Sequence, residues 1–376
     1  MHKNIVPHMQ LRNSLSRSRL NNIRVFLLFA SLLAFLLISV VSANSCSSNN
    51  NYHPILPNER PEDKPYNTVI EDLQVVAPSG NKIYGMIRRP DPNLYPDLSF
   101  AAVILVAGGI NPGRLDVKGS PEAKMLADTG MVVISFNAEG RGDTAHGDIL
   151  SEGSEDYNGS RHQDDLAAII KYVANLDYVT PDNIGIKTQS YGITMAAGCV
   201  ARYPALPVKY IVDAEGPSNS FVTVHEPWAL FSDPSHPYHN KYQEVYRILG
   251  HYSTHRDSST ENMVFWKERE ADKFIGKFQG RYLRLQATWD HSQPPNKLPE
   301  IPLFHKPPLW WQGKHTADMV NAAVNGGVPW VRVNLPEQGN QVNKTYDADH
   351  QPVYLPGELK DKPWSVRAVL EMARME

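Results

Sequence analysis

An α/β fold built on a doubly wound, mainly parallel sheet is what the sequence predicts, and three observations predict it. The runs 101–107 and 131–136 are almost wholly apolar and end in glycine-rich or polar turns. Runs that lack polar alternation belong to strands covered on both faces. The segment 164–174 sets Leu166, Ile169, Ile170 and Val173 at i, i+3, i+4 and i+7, the stripe of a helix lying on a sheet. The stretch 184–197 passes from a short apolar strand through a sharp turn at Ser190 into a helix of small residues. Strands alternating with helices imply parallel neighbours joined by crossovers.

Element by element, the chain opens with Lys3, Arg12, Arg17, Arg19 and Arg24, then an uncharged apolar run, 25–41, ending in Val41, Ser42 and Ala43. A basic leader, an apolar segment and small residues make up an export signal. Three forms fit residues 1–43: a signal peptide cut after Ala43, a lipoprotein signal with lipid on Cys46, or an uncleaved anchor. Each places the folded part outside the cytoplasm, secreted or held at a membrane. Residues 44–66 are rich in Asn, Ser, Pro and charge and read as a polar linker. From 67 to 376 a single α/β domain is expected. Runs 68–76 and 82–88 flank a turn at Pro78, Ser79, Gly80 and Asn81 and form a hairpin. Further strands are expected at 207–212, 282–286 and 330–334, with helices at 315–324 and 365–375. The stretch 216–280 breaks the alternation and carries Trp228, Phe231, Tyr238, Tyr242, Tyr246 and Trp266. Inserted at the carboxyl edge of the sheet, it is expected to be a cap over the site.

The turn at Ser190 carries the chemistry. A strand-to-helix bend lifts one side chain above the sheet and aims the amides of a helix start at whatever that side chain attacks. Residues two before and two after must be small, and Gly192 satisfies this while Thr188 does so only in part. A glycine pair, Gly108 and Gly109, follows the 101–107 strand and lets backbone approach a developing negative charge.

This order of parts resembles the α/β-hydrolase superfamily, secreted esterases first and prolyl-oligopeptidase-type peptidases more distantly. The segment 137–144, from Asn137 to Thr144, is similar to the superfamily's Asp-x-Arg-Gly-x-Gly-x-Ser turn with its first and third positions changed. The resemblance implies a serine hydrolase in which Ser190 attacks a carbonyl and the amides of Tyr191 and of Gly109 or Ile110 hold the oxyanion. It places the acid at Asp290, in a turn similar to the family's Asp-x-x-x-Pro, with Asp213 and Glu215 as runners-up. For the base it offers His350, in a long loop after the last strand, or else His315; His291 is a third choice. The substrate expected is a small carboxylic ester, with an amide as the other option. Thr188, and the lack of a histidine soon after Gly339, keep a second reading open: a hydrolase-fold surface protein that binds a ligand without turnover.

Composition narrows the classes. A net charge of −3 gives no basic footprint for nucleic acid. Two cysteines are too few for a disulfide scaffold, and Cys199 reads as a small buried residue. The carboxylates between Ser154 and Asp165 suit turns and a helix start better than a calcium ion. Asp233, His236 and His239 are interrupted by Pro234 and Pro237, so no metal is expected. The sequence has no phosphate loop or dinucleotide fingerprint, and no organic cofactor is expected.

Overall fold

Apolar strands with side chains on both faces need helices on both sides, and the computed structural model of the chain provides them. It describes residues 53–55, 64–225, 234–235, 260–288, 310–336, 342–346, 355, 359 and 364–375. All of these lie in one unit, Tyr52–Glu376.

The strands are β1 (His53–Ile55), β2 (Thr68–Val76), β3 (Lys82–Pro90), β4 (Leu98–Val106), β5 (Val132–Asn137), β6 (Val179–Gln189), β7 (Val208–Ala214), β8 (Arg281–Leu285) and β9 (Trp330–Val333). They form one sheet in the order β2-β3-β5-β4-β6-β7-β8-β9, with β1 beside the start of β4. β2 and β3 are the expected hairpin, closed with Val76 opposite Lys82, and β3 runs antiparallel to β5. From β5 through β4 to β9 every pairing is parallel.

The helices are α1 (Asp116–Gly119), α2 (Pro121–Asp128), α3 (Ser160–Ala174), α4 (Gly192–Arg202), α5 (Thr260–Lys267), α6 (Ala271–Ile275), α7 (Trp310–Gly326) and α8 (Trp364–Arg374). Alternation along each strand sorts the core into two layers. Ile104, Ile134, Ile186 and Ile211 face Leu166, Ile170 and Met195 on one side. Val103, Val133, Val212 and Leu283 face Leu126, Val369 and Met372 on the other. Each such side chain, fully buried, stabilises the fold by roughly 1.5–3 kcal/mol before entropy is counted.

Three features depart from the sequence reading. The 44–66 stretch is not linker throughout: β1 pairs with 98–100 and Tyr66 is buried against Phe100. The helices between β4 and β5 were not anticipated, although Ser120 caps α2 and Pro121 occupies its first turn. The expected cap, 216–280, is cut short at its far end. Ala271, Ile275 and Phe278 lie in the main core. The cause is topological: β7 and β8 are parallel neighbours, so the chain must cross a sheet face between them, and α6 makes that crossing.

Candidate active site

Ser190 stands where β6 gives way to α4, with a φ of +49°. A serine in this left-handed region is held there at a cost of about 1–3 kcal/mol. The surroundings enforce it. The Ser190 N–H donates to the Ala214 carbonyl of β7 at 2.8 Å, and the Ile193 N–H donates to the Ser190 carbonyl at 3.2 Å. A side chain at residue 192 would lie 2.9 Å from the Val106 carbonyl oxygen and 2.8 Å from that of Ala107, so only glycine lets α4 close onto β4. Asn158 Nδ2 donates to the Tyr191 carbonyl at 2.9 Å. Ser190 itself is half-buried, whereas Thr188 beneath it is wholly enclosed. The larger residue two before the turn is therefore accommodated.

The loop after β4 meets this bend. A Cβ on Gly108 would lie 3.3 Å from Ser190 Cβ, so the glycine brings the loop against the serine. The Asn111 N–H donates to the Gly108 carbonyl, and Gly109 turns at φ +61°. The amides of Gly109 and Ile110 make no hydrogen bond among the described residues. Tyr191 supplies the N-cap of α4, its ring buried and edge-on to Trp266 with centroids 6.4 Å apart. Trp266, expected to belong to the cap, thus braces the bend from behind.

A buried polar layer supports the same turn. Arg141 grips Glu155 through Nε at 2.9 Å and Nη2 at 2.8 Å, and also donates to Asn158 Oδ1 at 2.8 Å. Asn158, left-handed at φ +63°, carries this contact on to Tyr191. The sequence reading missed it; an Asn-Gly pair before a helix was the available signal, since Asn tolerates that backbone region. Asp156 pairs with Arg269 at 2.9 Å and Asp164 with Arg202 at 2.7 Å, so arginines answer these carboxylates. Among the described residues no cluster of three metal-ligating side chains occurs. Asp233, His236 and His239 lie outside the described residues.

This layer gives a pH dependence whose sign can be worked out. Burial pushes the Asp165 carboxyl up to about 7 from 3.8, against the pull of a hydrogen bond from the Glu139 N–H. Its protonated form stabilises the fold at low pH, and that contribution is lost as pH rises towards 7. Burial, with Arg141 alongside, pushes His162 down to about 3 from 6.5. Its contribution is complete above 6.5 and is lost as pH falls towards 3. Asp165→Asn removes only the first effect. The variant's melting temperature relative to wild type, followed by circular dichroism, is expected to rise from about pH 4 to about pH 7. A pH-independent difference would show that Asp165 ionises normally.

Asp213, Glu215 and His315 lie among the described residues. Asp213 is committed elsewhere: its Oδ2 accepts from Tyr282 Oη at 2.6 Å and Arg284 Nη1 at 2.8 Å, and its Oδ1 from the Gly216 N–H at 3.1 Å. Glu215 Oε1 accepts from the Ala287 N–H at 3.3 Å. His315, the alternative base, sits in the second turn of α7 rather than at its start, and is buried. Its Nδ1 lies 3.0 Å from the Ser218 amide nitrogen and 2.9 Å from Ser218 Oγ. An amide can only donate, so Nδ1 is the acceptor and a neutral ring carries its proton on Nε2. A histidine in that tautomer braces the chain after β7 and is not set to take a proton from a nucleophile.

Asp290, His291 and His350 lie outside the described residues, but Ala287 and Leu355 near them are bridged. Ala287 bridges to Leu355 in parallel; the Thr288 N–H donates to the Leu355 carbonyl at 2.8 Å and the Leu355 N–H to the Gln286 carbonyl at 2.9 Å. The long loop after β9 thus returns to the carboxyl end of β8, within a few residues of both Asp290 and His350.

Residues 118–265, which include Ser190, match the prolyl oligopeptidase family, Peptidase_S9. The chain has an α/β-hydrolase fold. The matched family is one of serine hydrolases. Among solved structures, puromycin hydrolase is similar at 15% identity with a TM-score of 0.50, covering 84% of this chain and 40% of that one. A putative dipeptidyl aminopeptidase IV from Bacteroides ovatus shares 15% identity with a TM-score of 0.47, over 71% of this chain and 32% of that one. Acetyl xylan esterase 1 from Thermoanaerobacterium sp. JW/SL YS485 shares 15% identity with a TM-score of 0.46, over 81% and 84%. At such identities these likenesses concern the fold, and the chain spans well under half of the first two. No curated protein matches this chain by sequence.

Proposed function

We propose that this α/β-hydrolase is an exported enzyme that cleaves a carboxylic ester through an acyl-enzyme on Ser190. The observation that carries the reading is Ser190 fixed at φ +49° with the Gly108 turn against it. In the proposed cycle His350 takes the Ser190 proton as Oγ attacks the carbonyl carbon, and Asp290 orients and stabilises the imidazolium. The amides of Tyr191 and of Gly109 or Ile110 hold the oxyanion. Collapse breaks the ester C–O bond, and the leaving oxygen takes the proton from His350. Water then attacks the acyl carbon by the same route, releasing the acid and restoring Ser190. The pairing of Ala287 with Leu355 supports His350 as base, because it returns that loop to the Asp290 side. Export rests on the basic and apolar leader, 1–43, and membrane attachment through that segment or Cys46 belongs to the same proposal.

An ester is preferred over an amide because an oxygen leaving group departs with less help from the acid than an amine needs. The test compares p-nitrophenyl acetate with alanine p-nitroanilide at equal enzyme. Release of nitrophenol with no nitroaniline supports the ester reading; faster cleavage of the anilide moves the protein to the peptidases.

A further inference from the structure

Asn137 ends β5 and is fully buried, yet its side chain uses every hydrogen-bonding site it has. Its Oδ1 accepts from the amides of Gly113 and Arg114, both at 2.9 Å. Its Nδ2 donates to Asp148 Oδ2 and to the Ile149 carbonyl, both at 2.8 Å. Asp148 in turn accepts from Arg114 Nη1 at 3.0 Å and from the Ile149 N–H at 2.8 Å. Gly113 fits only because it lacks a side chain, since a Cβ there would lie 2.8 Å from the Phe136 carbonyl oxygen. The far end of the loop that begins at Gly108, beside Ser190, is therefore tied to β5 through the Asn137 amide, and Ser135 Oγ of the same strand donates to the Arg114 carbonyl at 2.9 Å.

We infer that Asn137, locked by Asp148 and Arg114, is a positioning residue that sets where the 108–114 loop presents its amides to the Ser190 oxyanion. The inference rests on the hydrolase reading above. The chemistry of the pair explains why residue 137 is Asn here. A carboxylate at 137 would accept the two loop amides equally well, but its second oxygen would face Asp148 across 2.8 Å where an N–H now donates. Burial opposes the charge on Asp148, but hydrogen bonds from Asn137 and Arg114 outweigh it and hold this carboxyl below its ordinary value.

The test exchanges the two side chains. Asn137→Asp, Asp148→Asn and the double exchange are compared with wild type for p-nitrophenyl acetate turnover, fluorophosphonate labelling of Ser190 and melting temperature. Asn137→Asp is expected to lower kcat about 10²-fold with KM little changed, as misplaced oxyanion donors do. Asp148→Asn, which keeps an acceptor for Asn137 and leaves Arg114 paired with Asp72, is expected to lose kcat in the same sense but less. The double exchange, in which Asn at 148 donates to Asp at 137 and still accepts from Arg114, restores that bond but not the one to the Ile149 carbonyl, so a partial regain of about tenfold over Asn137→Asp is expected. A folded Asn137→Asp variant with wild-type kcat overturns the inference, as does a double exchange no better than the worse single variant. If wild type takes no label, the hydrolase reading falls and the positioning role falls with it. A labelled wild type with an equally fast variant removes the positioning role alone.

Discussion

Ser190→Ala is expected to abolish fluorophosphonate labelling and to lower ester kcat on the order of 10⁵- to 10⁶-fold, the loss seen when a serine nucleophile is removed. The size follows from what the hydroxyl does. Without it no acyl-enzyme forms, and the oxyanion amides act only on direct attack by water. The fold should not notice, because Ser190 Oγ has no hydrogen-bond partner among the described residues. Alanine also keeps the Cβ that packs near Gly108. Activity-based labelling and stopped-flow turnover on the two proteins measure the effect. A variant that keeps its label would move the reacting group elsewhere, and a wild type that takes none would leave a hydrolase-fold binding protein.

Asp213→Ala is expected to cost about 3–5 kcal/mol, because it breaks a buried ion pair by removing one partner. Asp213 and Arg284 are 0% and 1% exposed, 2.8 Å apart, with the Tyr282 hydroxyl on the same carboxylate oxygen. After the substitution Arg284 retains the Gly216 carbonyl at 2.6 Å and Gln286 Oε1 at 2.7 Å, but loses the Asp213 carboxylate. The melting temperature should fall on the order of 10 °C for a domain of this size. Replacing both partners, as Asp213→Leu with Arg284→Met, should cost less than the single change, since both buried charges are removed together. Chemical denaturation of the three proteins measures this. A single variant within about 1 kcal/mol of wild type would show that water reaches the pair.

The parallel sheet was legible because its strands are covered on both faces, and such strands must be written as unbroken apolar runs such as 101–107 and 131–136. The bend at Ser190 was legible for a related reason: a helix that packs against a strand within one residue tolerates only a small side chain at Gly192. Less legible were α1 and α2, short helices without a long apolar stripe, of which α2 alone has a local start signal in Ser120 and Pro121. The far limit of the cap was misplaced because aromatics such as Trp266 look alike in a lid and in a core.

By itself, then, the sequence determined the layers, the strand that carries Ser190 and the glycines beside it, since each is a constraint between residues close in the chain. Tertiary structure decided which polar side chains are spent on structure. His315 and Asp213 were the alternative base and a runner-up acid, yet Ser218, 97 residues from the first, and Arg284, 71 from the second, hold hydrogen bonds to them. The same holds for Asn137 and Asp148, whose complementarity exists only once β5 and the loop after it are folded together. A ring nitrogen or carboxylate oxygen can serve few partners at once, and the fold, by bringing distant donors to it, decides whether any capacity remains for chemistry.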